Sequence, residues 1–527
     1  MNQTPEELLL EKDSRVDYSR SQRRQAEKNT HREETKKTKV PLVHKFHIAF
    51  FSILTACLTV ALPFFSDLVN SLQSQNIYTG MMMTSGQLPF SDIFATGGFL
   101  YYVLIAIGYY LGTSLWLVLV TFLATYVSGI YLYKIFNYFT NSTKISAAAN
   151  TIFYLLNIAL GFGGLYPSQW AIPFVLVSLW FLVKYFAGII KDEAFILYGF
   201  AGAAAMLLDP RTLVFWALSF LTIGVYNIGK KHVARGFYQL LCIIFGTILV
   251  FYTAGFFILN LQILLPYLKQ AVVYPFTFFA AGKENFLLGI AFQMFAALAS
   301  GLLLGFFTFL KHISKGEDKV AKWLIFLTAI VYLVIACLSQ DFHLYHLLNF
   351  LPFGLVLSVL GLNHYYQSSR SKSAHRSKKS GREGARFFEL YLERHLYLPV
   401  FVFLVSIGLS AFHYVSSLDI NAQRSTVATY LSSQVASDDK VYVWDDSAKI
   451  YIDGQLKSSA EFPLPSVNTM KKSQAKLLED ELLQNKSAFV VVNNDKKISE
   501  TIENNLKANY DPLSVDGVSS FTIYKKK

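Results

Sequence analysis

Cysteine is nearly absent from the chain, at 3 in 527 residues, and Cys57, Cys242 and Cys337 all fall inside apolar runs. That scarcity excludes a disulfide-stapled fold and a thiolate metal site, and leaves the three as small apolar packing residues. Charge is thin at 16% of residues, and no Walker-type glycine loop occurs, so ATP-driven transport has no support. Apolar residues are abundant instead: 53% are hydrophobic and 16% aromatic, with a mean hydropathy of +0.37. Such a composition lies well outside that of a soluble enzyme of this size.

Several apolar runs of 17 to 25 residues recur between Phe46 and Tyr414. Each suffices to cross a hydrocarbon layer about 30 Å thick at about 1.5 Å per helical residue. The fold class is therefore a polytopic α-helical membrane protein. Isolated glycines inside the runs, Gly202 among them, read as helix-packing positions.

Lys and Arg collect in cytoplasmic loops. Here they cluster at Lys36–Lys45, Lys134–Lys144, Lys184–Lys191, Lys230–Arg235, Lys311–Lys322 and Arg370–Arg394, while the alternate loops are poor in them. The alternation predicts about eleven transmembrane helices, near 46–66, 114–136, 145–161, 168–187, 194–208, 211–229, 237–260, 286–310, 323–339, 346–363 and 396–414. It places the N-terminus in the cytoplasm and the C-terminus outside. FLYYVLIAIGYYL (99–111) has only 13 residues, too few to span, and predicts an interfacial helix within a first external loop, 67–113.

Residues 1–45 carry 11 Lys/Arg and 8 Asp/Glu, which predicts a disordered basic cytoplasmic tail. It is too long and too acidic for a signal-peptide n-region, and its mixed charge argues against binding nucleic acid. The basic run 364–395 reads as a cytoplasmic linker drawn to anionic membrane lipids. From 415 to 527 the composition turns mixed, with 14 Lys/Arg and 15 Asp/Glu. Strand-like runs at 440–446, 449–454, 487–494 and 519–527 and helical spacing at 471–485 and 498–510 predict a small external α/β domain.

Polar groups from separate segments then share the external side: Asp67 and Asp92 in the first loop, Arg211 in LLDPRT, Lys269, and Asp341, His343, Tyr345 and His346 in SQDFHLYHLLNFLP. A carboxylate at the hydrocarbon boundary suits a general base, and Arg or His suits a phosphate leaving group. Structural readings stand beside these: a solvated helix end for Asp67, a turn cap for Asp92, snorkelling for Arg211 and interfacial packing for the histidines. His343 and His346 have the spacing of half a metal site, without a third ligand at suitable spacing.

Asp67 at the end of the first span, then Gly86, Pro89, Phe90 and Asp92 in a Gly-x-x-Pro-aromatic-x-Asp motif, then FLYY, resemble the GT-C superfamily of polyprenyl-phosphate-dependent membrane glycosyltransferases. That group includes the aminoarabinose transferases and protein O-mannosyltransferases. HLLNFLP (346–352), with Leu347 in place of an aromatic, and DKVYVWDDSAKIYIDGQ (439–455) are also similar to family segments. The resemblance covers most of 46–460 and implies a GT-C-like membrane domain over 46–414, with catalytic carboxylates at Asp67 and Asp92. It makes Arg211 the leading phosphate ligand, with His343, His346, Tyr345 and Lys269 as further lipid-phosphate or substrate contacts. The family often has Asp-Glu where this chain has Asp67-Leu68, so the identity of the base stays open. Relatives differ in needing a divalent metal, so the cofactor stays open too.

The implied partners are membrane lipids, an undecaprenyl-type sugar or glycan donor, and an envelope glycolipid or polysaccharide acceptor. Lys- and Asn-rich composition without disulfides points to a low-GC Gram-positive bacterium and its cytoplasmic membrane. Overall layout is similar to the lipoteichoic acid ligase type, which moves a teichoic chain to a glycolipid anchor. A single-sugar transferase is the nearest competitor, and a non-enzymatic transporter or scaffold for envelope glycopolymer is the alternative class. No inverted repeat of the transporter kind is visible.

Overall fold

The computed structural model describes residues 40–61, 70–188, 192–277, 286–315, 318–339, 342–372, 383–436 and 438–527. Most of the expected N-terminal tail, Asp67, Asp341 and the centre of the basic linker lie outside the described residues.

The chain runs through helices α1 (Leu42–Ala56), α2 (Ser71–Met83), α3 (Phe99–Tyr110), α4 (Leu115–Thr140), α5 (Thr143–Leu160), α6 (Pro167–Phe186), α7 (Phe195–Leu208) and α8 (Leu213–Gly229). It continues through α9 (Val233–Asn260), α10 (Phe286–Ala299), α11 (Leu304–Thr308), α12 (Lys319–Cys337), α13 (Leu351–Lys372), α14 (Glu383–Arg394) and α15 (Leu398–Gln434). Among the described residues seven helices are long and apolar enough to cross a membrane, or eight if the bent pair Phe286–Ala299 and Leu304–Ile313 is one span. The chain is an integral membrane protein, with fewer such helices than the eleven read from the loops. The segments expected to span at 145–161, 194–208 and 346–363 are helical, but α7 has only 14 residues, α5 opens on the polar TKIS, and α13 closes on QSSRSK.

Helix α10 does not run straight through 286–310. The chain bends by 77° before Leu304. Gly301 sits there at φ +74°, and a Cβ on it would come 2.6 Å from the Tyr391 hydroxyl of α14, which donates to the Ser300 carbonyl at 2.7 Å.

Helices α7 and α9 touch backbone to backbone. A Cβ on Gly199 would lie 2.1 Å from the Ile243 carbonyl oxygen, and one on Gly246 would lie 2.0 Å from that of Ile196. Small residues of this kind let apolar helices approach closely. Gly246→Val is expected to force the pair apart at a cost of about 1–3 kcal/mol, read as a lower midpoint in thermal unfolding of detergent-solubilised protein. An unchanged midpoint would contradict the close contact.

Helix α15 has 37 residues, roughly 55 Å at 1.5 Å per residue, so it outruns any bilayer and continues unbroken past residue 415 into the C-terminal domain. There a five-stranded sheet has the order β2-β1-β3-β5-β4, with β1 Lys440–Trp444, β2 Lys457–Ser458, β3 Phe489–Asn493, β4 Tyr510–Leu513 and β5 Phe521–Lys526. Strand β1 lies parallel to both β2 and β3, and β5 is antiparallel to β3 and β4. KIYIDG, read as a strand at 449–454, is instead helix α16 (Lys449–Gly454). Its buried residues Ile450 and Tyr451 pack in one core with Val427 and Leu431 of α15. Helices α17 (Lys472–Leu482) and α18 (Glu500–Asn509) complete the domain.

Helix α2 falls within the expected external loop 67–113, yet Gln73 to Met82 are all buried. Tyr78 packs in one core with Val427, Leu431, Val441 and Tyr451. Its hydroxyl accepts from Ser458 N at 2.8 Å and donates to the Leu456 carbonyl at 3.2 Å. The first loop and the C-terminal domain therefore share a hydrophobic core.

Candidate functional site

Asn70 opens α2 with a capping box: its side chain accepts from Gln73 N at 2.9 Å, while Gln73 Oε1 accepts from Asn70 N at 2.8 Å. The Asn70 amide also donates to the Tyr166 hydroxyl at 2.8 Å. The first turn of α2 is thereby fixed against the start of α6. Beside it opens a cavity of about 220 Å³ that brings Asn70, Ser71 and Asn76 together with Tyr166, Arg211, Tyr332, His343, Tyr345, His346, Asn349 and the Ser466–Asn468 turn.

Arg211 is the best-fixed cation in this wall. Asp209 caps the turn before α8 by accepting from Arg211 N at 3.0 Å, and its carboxylate accepts from Arg211 Nε at 2.9 Å and Nη2 at 3.0 Å. Asn349 adds a donor to Asp209 Oδ2 at 3.3 Å. Asp209 is 1% exposed and the Arg211 side chain 22%. The buried carboxylate thus holds the guanidinium plane, and Nη1 makes no hydrogen bond among the described residues. Tyr345 stacks between Tyr166, with ring centres 4.7 Å apart, and His343, at 5.4 Å, and it also contacts His346 at 4.3 Å. The His343 carbonyl accepts from Gln293 at 2.9 Å, which ties this short turn to α10. Guanidinium, imidazoles, amides and hydroxyls converge, and no carboxylate lines the cavity among the described residues. Such a wall suits an oxyanion.

Four expected site residues, Arg211, His343, Tyr345 and His346, therefore meet in one cavity. Lys269 is exposed and does not line it. Neither does Asp92: it too is exposed, and its carboxylate accepts from Leu88 N at 2.8 Å. The turn it closes holds Phe90 at φ +72° with its ring on Tyr267, centre to centre 5.0 Å. Asp67 lies outside the described residues, three positions before Asn70 in the chain. No group of three metal-ligating side chains occurs among the described residues. Reading the sequence missed Asn70, Asn349 and the aromatic stack. Asn70-Ser-Leu-Gln73 does carry a cap signature, and Asn349 sits inside the quoted HLLNFLP.

The turn of Asp92 meets the C-terminal domain through Gln270, whose amide donates to the Phe90 carbonyl at 3.0 Å and to Glu461 Oε1 at 2.7 Å. Burial first, and the neighbouring Glu481 carboxylate second, raise the Glu461 pKa from 4.5 to about 7. The folded chain then keeps a proton that the unfolded chain releases above its ordinary carboxylate range. This contribution is full below about pH 4.5 and is lost as pH rises through about 7. Hydrogen exchange at Phe94 and Ala95, corrected for intrinsic rate, is expected to show more protection at pH 5 than at pH 8. In Glu461→Gln the protection should be flat with pH, and an opposite slope in the wild type would contradict the assignment.

A solved structure of ArnT from Cupriavidus metallidurans bound to undecaprenyl phosphate is similar at a TM-score of 0.48 and 13% identity, covering 90% of this chain and 97% of that one. The apo state of the same protein gives 0.46 at the same identity and the same coverage. At these values the likeness bears on neither substrate nor mechanism. No curated protein sequence matches. Residues 33–418 match the competence-induced Ccs4 N-terminal domain and residues 421–527 the Ccs4 C-terminal domain, so the chain belongs to the competence-induced Ccs4 family.

Proposed function

We propose that the chain is a membrane glycosyltransferase that moves a sugar or preassembled glycan from a polyprenyl phosphate or pyrophosphate to an envelope acceptor. The observation that carries this reading is the Arg211 guanidinium, fixed by buried Asp209 at a cavity that also holds His343, Tyr345 and His346. A phosphate oxygen accepts from the free Nη1 edge, which also stabilises the charge developing on a leaving phosphate. In the transfer, an acceptor hydroxyl oxygen bonds to the anomeric carbon as the carbon–oxygen bond to the lipid phosphate breaks. The electron pair leaves on the phosphate, and the hydroxyl proton passes to a base. Asp67 is the proposed base, because Asn70, three residues on, lines the cavity. Asp92 holds its turn and acts as a positioning residue. In this reading the cavity face is external, on a bacterial cytoplasmic membrane, and the acceptor is a glycolipid or wall polymer, a teichoic chain being the leading donor cargo.

The test is binding of undecaprenyl phosphate to the purified chain in detergent, by native mass spectrometry. Wild type is expected to hold the lipid and Asp92→Asn to hold it within about 3-fold, since that turn keeps its amide cap. Failure of wild type to bind the lipid in preference to the uncharged undecaprenol would overturn the reading.

A further inference from the structure

A second cavity, about 580 Å³, lies against the first and shares Asn70, Ser71 and His343 with it. We propose that it binds the neutral sugar headgroup of a membrane glycolipid, which is the acceptor. This inference rests on the transferase reading above and adds where the acceptor sits and what it is chemically.

Its position comes from the sheet. The parallel neighbours β1 and β3 end side by side, and the residues that follow them, Asp446, Ser447, Asp495 and Lys496, form one wall. Carboxyl ends of adjacent parallel strands are where open α/β sheets take ligands. The facing wall is α15, through Ser410, His413, Ser417, Asn421 and Arg424.

The charges of this cavity are already matched. Arg424 donates to Asp445 from Nε at 2.7 Å and Nη2 at 2.9 Å, Asn493 donates to the same carboxylate at 2.7 Å, and Lys496 pairs with Asp446. With Arg424 held by Asp445 and Lys496 by Asp446, Asp495 remains as a further lining carboxylate, so the wall carries no spare positive charge. The first cavity presents the Arg211 Nη1 edge with no lining carboxylate among the described residues; this one presents ion pairs amid serine hydroxyls and asparagine and glutamine amides. Mixed donors and acceptors without net positive charge suit a polyol rather than a phosphate.

The membrane supplies the lipid source. About 20 residues of α15 beyond Leu398 cross a 30 Å core, so Ser417 and Asn421 stand at its boundary, with Ser410 and His413 one to two turns deeper. Leu409 lines the cavity while 64% exposed, next to exposed Phe412, Val415 and Leu418 on the same helix. A headgroup can enter sideways here with its acyl chains still in the bilayer. The shared residues put its hydroxyls next to the donor phosphate.

The test uses the full chain in nanodiscs carrying a neutral dihexosyl diacylglycerol, phosphatidylglycerol or neither, with free dihexose as a soluble arm. Two variants, Ser410→Trp, which fills the cavity, and His413→Leu, are compared with wild type after matching thermal midpoints. The expected result is retention of the glycolipid over phosphatidylglycerol by wild type and a 10-fold or greater loss in Ser410→Trp, with undecaprenyl phosphate binding unchanged. If Ser410→Trp does not fold, a loss of at least 5-fold is expected in His413→Leu. Equal glycolipid binding in wild type and the folded variants overturns the site. Preference for phosphatidylglycerol overturns the neutral headgroup, and free dihexose binding as tightly as the lipid overturns the membrane source. Glycolipid binding without donor binding would leave this site standing while the transferase reading fell.

Discussion

Arg211→Lys is expected to lower undecaprenyl phosphate affinity by about 10- to 150-fold with a smaller loss of thermal stability than Arg211→Ala. An ammonium can still sit against buried Asp209, but it cannot bond that carboxylate through two nitrogens and offer a third edge to phosphate. Hydrogen bonds to charged groups are worth about 1.5–3 kcal/mol each, which sets the size of the effect. Arg211→Ala should behave differently: it strands a carboxylate that is 1% exposed, at a cost of about 3–5 kcal/mol, and should lower the amount of folded protein as well. Comparing the two by native mass spectrometry and thermal unfolding separates phosphate recognition from folding. Wild-type affinity in Arg211→Lys would show that the guanidinium only anchors the turn before α8.

The second large effect is expected at Tyr78. Tyr78→Ala empties a buried aromatic site between α2, α15 and the sheet, at about 3–5 kcal/mol, and Tyr78→Phe, which removes only the hydroxyl joining Ser458 and Leu456, costs about 1–3 kcal/mol. Because the first turn of α2 lines both cavities, Tyr78→Ala should also weaken donor binding, although its ring touches neither. Limited proteolysis should cut between α2 and α3 sooner in this variant. Unchanged protease resistance would mean that the loop holds its position without the C-terminal domain.

The membrane class was legible because long apolar runs have one physical use, and the C-terminal strands KVYVW and FVVVN were legible from their β-branched and aromatic content. Arg211 and the 343–346 histidines were found because polar residues stand out where an apolar chain turns. Helix α2 was not legible. SLQSQNIYTGMMM has neither the length of a span nor an apolar stripe, and it is buried because its amides bond to backbone carbonyls that only the tertiary fold supplies: Gln73 to Gly164 at 2.6 Å and Gln75 to Phe94 at 3.1 Å. The eleven crossings read from the loops outnumber the seven or eight helices long and apolar enough to span among the described residues for a related reason. Loop charge reports parity but not length, and α7 is a 14-residue helix packed on α6 and α9. Asp92 reads in sequence as either base or cap; its carboxylate accepts from Leu88 N and closes a turn that holds Phe90 in a left-handed conformation.

The most direct test of the transferase reading compares lipid-linked intermediates and envelope glycopolymers in cells carrying wild type, Arg211→Lys or Asp67→Asn at matched membrane levels. Accumulated polyprenyl-linked donor with one glycopolymer product missing is the expected result in both variants, and the missing product would name the substrate. Profiles identical to wild type in both would contradict a phosphate-binding, carboxylate-dependent transferase.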